Sequence, residues 1–298
     1  MSVRPKTMRT ARHRTTTVEG LNVFYREAGD EGAPKLLLLG GFPASSHQFR
    51  NLLPALAGDF HLVSLDYPGF GNTDMPSPAD WAYTFDHLTN IVDGALTEIG
   101  FTGAMGIYMQ DYGGPIGNRL IARHPEWLEW QVIQNSNAYE EGFTDAWEGI
   151  RHALWVDRSR ATEAPLEAFL EPDGVKSVYT TGHKDPSVIS PDNWNMDLHF
   201  LARPEAHRVQ LELFYDYRKN VELYPEWQAF LREHQPPTLI LWGQGDIFFT
   251  PEGGEAYLRD LPDARIVRLD SGHFAVEDCL EQITDEIVAF YDGSVASR

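Results

Sequence analysis

The sequence predicts an α/β fold: a mostly parallel central sheet flanked by helices on both faces, with an inserted helical cap. Three observations carry that expectation. Short apolar runs bounded by turn residues recur along the chain. They alternate with amphipathic stretches through residue 136 and again from residue 238. The segment between, roughly 138 to 226, abandons the rhythm for irregular helical patterns.

At the N-terminus, "MSVRPKTMRTARHRTTT" brings Arg4, Lys6, Arg9, Arg12 and Arg14 with no apolar stretch behind them, so residues 1–15 read as a flexible basic arm rather than a secretory signal. Strands are expected at "LNVFYREAG" from 21, "KLLLLGG" from 35 and "HLVSLDYPG" from 61. A helix follows in "FDHLTNIVDGALTEIG" from 85, where Leu88, Ile91, Val92, Leu96 and Ile99 recur at helical spacing. Two more strands are "MGIYMQD" from 105 and "WQVIQNS" from 130. The next segment carries loop signals such as "EPDG" and "ISPDN" and is too long for a structureless loop in a compact domain. It reads as a cap over 138–226, inserted into one core domain of 16–137 and 227–298. A separate C-terminal domain fits less well, because "TLILWGQGD" from 238 and "RIVRLDSGH" from 265 match the strands of the first half.

Composition narrows the function. Of 298 residues 42% are hydrophobic and 12% aromatic, enough for a well-packed core. A net charge of -20 repels nucleic acid and anionic membrane surfaces, so neither is expected as a partner. The one cysteine, Cys279, excludes an intramolecular disulfide or a cysteine metal cluster and suits a reducing cytoplasm.

The stretch "GIYMQDYGGPIG", residues 106 to 117, runs an apolar strand into Asp111 and then into glycines that can open a helix. Such a corner projects its central side chain above the sheet and frees backbone N–H groups at the helix start. Asp is also a good N-cap, so this corner alone leaves cap and nucleophile open. Other segments favour the nucleophile. "LLLLGGFPASSHQF" places Gly40, Gly41, Phe42 and Pro43 after a buried strand, where a second oxyanion-hole N–H belongs. Asp246 follows the penultimate strand and His273 the last, which gives the chain order nucleophile, acid, histidine.

These residues, with the "DYPGFGNTD" turn from Asp66 to Asp74, resemble the α/β-hydrolase superfamily over about residues 16 to 292. "MQDYGG" is similar to the elbows of its aspartate-nucleophile branch, the epoxide hydrolases and the haloalkane and haloacetate dehalogenases. The resemblance implies an α/β-hydrolase fold and a hydrolase that needs no cofactor or metal. Its catalytic set would be Asp111, His273 and Asp246, with Glu140 as the backup acid and Phe42 and Tyr112 as oxyanion donors. Tyr217, in "LFYDYRKNVELYPEW", resembles the leaving-group donor of the branch, and Trp155 in "RHALWVDRS" is a second candidate alongside His152, Tyr139 and Tyr179. The chain departs from the branch at two places: Tyr112 replaces the tryptophan or arginine of the dehalogenases, and Gly40 replaces the usual histidine. The reaction expected is epoxide to vicinal diol. The alternatives are carbon–halogen hydrolysis and a ligand-binding or regulatory protein on the same scaffold. The expected partner is a small apolar organic substrate, with a homodimer left open.

Overall fold

A computed structural model describes residues 10–297. Eight strands form one sheet: β1 (Arg12–Val18), β2 (Leu21–Ala28), β3 (Lys35–Leu39), β4 (His61–Leu65), β5 (Met105–Gln110), β6 (Leu128–Gln134), β7 (Thr238–Gly243) and β8 (Arg265–Leu269). Their order is β1-β2-β4-β3-β5-β6-β7-β8. β2 runs antiparallel to β1 and β4, and every other neighbouring pair is parallel. Successive side chains of a strand point to opposite faces, so the leucines of β3 divide between two cores. Leu37 and Leu39 pack with Ile107 and Met109 on one face, while Leu36 and Leu38 pack with Tyr108 and Trp130 on the other.

Helices α1 (Leu52–Leu56), α2 (Phe85–Glu98) and α3 (Gly113–Arg123) lie in turn between the strands from β3 to β6. The predicted stripe of α2 is buried at Leu88, Ile91, Val92 and Leu96, and the Thr84 hydroxyl caps its start by accepting from the His87 N–H. Six helices lie between β6 and β7: α4 (Ala146–Ile150), α5 (Arg160–Glu167), α6 (Pro172–Thr180), α7 (Asp192–Leu201), α8 (Ala206–Asp216) and α9 (Arg218–His234). Helix α10 (Pro251–Ala256) precedes β8 and α11 (Leu280–Phe290) follows it. Among the described residues no helix is long and apolar enough to cross a membrane.

Two expectations need correction. The basic arm was expected to run to residue 15, but Arg12–Val18 is β1, joined to β2 through Glu19 and Gly20, both at positive φ. That two-residue turn matches the twist of the hairpin. β1 is an edge strand whose side chains are mostly exposed, so it lacks the apolar alternation by which a strand is read. Residues 1–9 of the arm lie outside the described residues. The expected cap boundary at 226 falls inside α9. Pro225 looks like a break, yet Tyr224, Trp227 and Leu231 bury along one side and carry the helix through it.

Candidate active site

The site lies at the C-terminal ends of the central strands. Asp111 directly follows β5 and has a φ of +49°, a left-handed conformation that non-glycine residues adopt at strained functional turns. Close packing holds it there. The Ser136 hydroxyl donates to the Asp111 carbonyl at 2.9 Å, and a Cβ at Gly113 would overlap the Leu39 carbonyl, so only glycine lets α3 start against β3. The Asp111 carboxylate does not cap α3: its Oδ2 accepts the Phe42 N–H at 2.6 Å, and the neighbouring Tyr112 amide favours its charged form. A Cβ at Gly41 would overlap this carboxylate.

His273 is fully buried beyond β8. Its Nδ1 lies 2.8 Å from Asp246 Oδ2, and its Nε2 lies 4.0 Å from Asp111 Oδ1. Asp246, after β7, also accepts from the Phe248 N–H at 2.7 Å and from Asn135 Nδ2 at 2.8 Å. Its buried charge is therefore met from three sides. Glu140, the backup acid, is exposed and lies 3.7 Å from Arg151, so the histidine's carboxylate partner is Asp246. Burial pushes the Asp111 carboxyl up to about 6, against the opposing pull of His273 and of the Phe42 and Tyr112 amides. For His273 burial favours the neutral ring, but Asp246 and then Asp111 outweigh it and raise the pKa.

Four supporting roles are not legible in the sequence. Asn135 bridges β6 to β7 by accepting the Gly243 N–H at 2.8 Å while donating to Asp246. Gln110 Nε2 lies 3.0 Å from His273 Nε2 and donates to it when Nδ1 carries the ring proton. Gln48 fills the space that a side chain at residue 40 would need, and the Tyr67 hydroxyl donates to the Gly40 carbonyl at 2.9 Å. The Gly40–Pro43 segment is therefore braced without a histidine.

The expected leaving-group donors separate. Tyr217, at the junction of α8 and α9, is fully buried, with its ring centroid 6.2 Å from that of Tyr112. Its hydroxyl lies 3.5 Å from the Tyr224 hydroxyl. Burial, then Tyr224 and the Asp111 charge, hold its phenol well above the usual tyrosine range. Tyr224 was missed, although it sits seven residues on at helical spacing. Trp155 must be withdrawn: its N–H donates to the Phe214 carbonyl at 2.9 Å and is not free for a substrate. The Tyr139 and Tyr179 hydroxyls are likewise committed, to Asp260 at 2.7 Å and Asp197 at 2.5 Å, and His152 is exposed. Among the described residues no group of three or more His, Cys, Asp or Glu is placed to hold a metal ion.

Comparison with known proteins gives three kinds of match. A family model described as the alpha/beta hydrolase fold matches residues 34–278. An uncharacterized hydrolase of Saccharomyces cerevisiae is 38% identical over 282 residues, covering 94% of this chain and 96% of its own. A haloalkane dehalogenase of Bradyrhizobium diazoefficiens is 26% identical over 314 residues, covering 96% of each chain. The solved structure of the epoxide hydrolase CorEH matches with a TM-score of 0.76 at 18% identity, covering 95% of this chain and 99% of that one, a likeness of fold alone. The family match takes in β3 to β8 and every residue of the Asp111 corner, and with it the chain belongs to the alpha/beta hydrolase fold family.

Proposed function

We propose that this chain is a cofactor-independent hydrolase that forms an alkyl ester on Asp111, and that its substrate is an epoxide opened to a vicinal diol. One observation carries the reading: a carboxylate, not a hydroxyl, stands at the strained corner, with a His273–Asp246 pair behind it. Oδ2 is held by the Phe42 N–H, which leaves Oδ1 to attack a saturated ring carbon. The C–O bond of the ring breaks, and the departing alkoxide takes a proton from Tyr217. His273 Nε2 then accepts a proton from water, and the hydroxide adds to the Asp111 ester carbonyl. The oxyanion sits against the Phe42 and Tyr112 amides, worth roughly 3 to 4 kcal/mol per donor in comparable sites. Its collapse expels the diol oxygen, which takes the proton from His273, and Asp111 is regenerated. Asp111 is left as the acid, and the proton it loses on re-ionising balances the one that reprotonates the Tyr217 phenolate and completes the cycle.

The choice of epoxide follows from the donors. A leaving alkoxide needs an acidic O–H, and Tyr217 supplies one, whereas the N–H groups of Trp147 and Trp155 are both spent on backbone carbonyls. Carbon–halogen hydrolysis is the second reading, favoured by the similarity to a haloalkane dehalogenase.

A single turnover in oxygen-18 water tests the ester. The diol of the first turnover should carry unlabelled oxygen from Asp111, while the label enters the Asp111 carboxylate. Label appearing in the first-turnover diol instead would mean that water attacks the epoxide directly. The pH dependence follows from the same groups. Ester formation needs ionised Asp111 and should fall as pH drops through about 6. Hydrolysis of the ester needs neutral His273, and Asp246, the larger of the two carboxylate influences that favour the protonated ring, stays in place after Asp111 is esterified, so this step also weakens toward acid pH. Rapid-quench measurement of ester against pH should show its formation lost below about 6, and ester formation unaffected across that range would argue against Asp111 as the nucleophile.

A further inference from the structure

The turn after α6 reaches both loops that carry His273 and Asp246. Gly182 has a φ of +80°, and a Cβ there would overlap the carbonyl of Gly245, the residue before Asp246. A Cβ at Gly245 would in turn overlap Gly182. On the other side, a Cβ at Gly272, the residue before His273, would overlap the Thr181 carbonyl and press on the His183 ring. One three-residue turn thus touches the backbone beside Asp246 and beside His273, at separations only glycine permits.

His183 fastens the turn. Its side chain is fully buried, and its Nδ1 lies 2.8 Å from Asp278 Oδ2 and 3.2 Å from the Ser271 hydroxyl. The Ser271 hydroxyl donates to Asp278 Oδ1 at 2.6 Å, so a ring protonated at Nδ1 donates to both partners. Ser271 also ties the two catalytic loops together, since its carbonyl accepts the Gly245 N–H at 2.9 Å.

We infer that Thr181–His183 is a positioning clamp that sets His273 against Asp246 and so governs hydrolysis of the ester but not its formation. The inference rests on the Asp111 ester reading for its kinetic consequence, and on geometry alone for its structural one. His183 touches neither substrate nor reacting atoms; it acts through the 271–278 loop. Ester formation uses Asp111 and Tyr217, which the clamp does not contact. Hydrolysis uses His273, whose Nδ1–H must stay aligned on Asp246, and misplacement by a fraction of an ångström slows a positioned step on the order of tenfold to a hundredfold.

The test uses the full-length enzyme and two readouts. In His183→Ala, rapid-quench kinetics with an epoxide should show ester formation unchanged and ester hydrolysis slower by on the order of tenfold or more. The downfield proton resonance of the His273 Nδ1–H should broaden as it exchanges with solvent. His183→Asn should restore both, because its amide nitrogen can occupy the place of Nδ1. Ser271→Ala, a smaller change, should show the same pattern more weakly, and it carries the test if His183→Ala does not fold. Unchanged hydrolysis with an unchanged resonance overturns the clamp, as does an equal slowing of both steps together with a fall in melting temperature. If the unmodified enzyme forms no ester, the catalytic reading fails by itself, and the clamp stands or falls on the resonance, which needs no substrate.

Discussion

Replacing His273 with Gln should stop turnover after its first half and leave the substrate bound covalently to Asp111. The attacking carboxylate loses only the pull of His273 toward its ionised form, so the trap is read well above pH 6. Asp111 keeps its Phe42 and Tyr112 amides, and Gln occupies much of the ring's volume among Phe248, Phe249 and Phe274. Asp246 keeps the Phe248 N–H and Asn135 as donors, so its charge stays compensated. What is lost is the base that deprotonates water, a contribution of about two to four orders of magnitude in rate. Intact-protein mass spectrometry reads the outcome, and the size of the adduct assigns the branch. An epoxide adds its whole mass, because its oxygen stays on the chain, whereas a haloalkane adds its mass less that of the hydrogen halide. No adduct from a broad panel of either class would remove Asp111 as the nucleophile.

In the proposed cycle, the coupling between Asp111 and His273 gives the two half-reactions a physical order. Before attack, His273 is surrounded by the charges of Asp246 and Asp111, both of which favour its protonated form against the effect of burial. Esterification neutralises Asp111 and removes one of those charges. Burial then weighs more heavily, and the ring gives up its proton more readily at the stage where a neutral base is needed.

What could be read in the sequence follows from where each residue's role is decided. Asp111, Asp246 and His273 each follow an apolar run, and strand ends at one edge of a parallel sheet converge, so their proximity is a consequence of topology. Asn135 and Gln110 also sit at strand ends, but a buried amide carries no motif, and its role appears only when the neighbouring strand is in place. Trp155 was misread because whether an indole N–H is free depends on a carbonyl 59 residues away, that of Phe214. The preference for Asp246 over Glu140 is legible in the sequence from its intact turn, and in the fold Asp246 is the acid that faces the imidazole. His183 left no trace in the sequence, since its partners are 88 and 95 positions away.

Tyr217→Phe should separate the two candidate chemistries more sharply than any change at the corner. The phenol's nearest hydroxyl partner is Tyr224 at a long 3.5 Å, so removing the oxygen forfeits little stability, about 1 kcal/mol or less. The ring stays packed against Trp147 and Phe85. Melting temperature should therefore hold while catalysis changes. An epoxide oxygen leaves as an alkoxide, a far stronger base than phenolate, so proton transfer from Tyr217 is downhill even though burial holds its pKa well above the usual range. Without that proton, ester formation from an epoxide should slow by about two to four orders of magnitude. A halide is a weak base that leaves without a proton, and with a haloalkane the same variant should lose no more than about tenfold, the value of one neutral hydrogen bond. Stopped-flow or rapid-quench comparison of the two substrate classes on one variant reads the difference directly. Epoxide turnover unaffected in Tyr217→Phe would take Tyr217 out of the reaction and shift the weight to Tyr112, whose buried hydroxyl has no hydrogen-bond partner among the described residues and whose pKa, raised first by burial, also responds to the Asp111 charge.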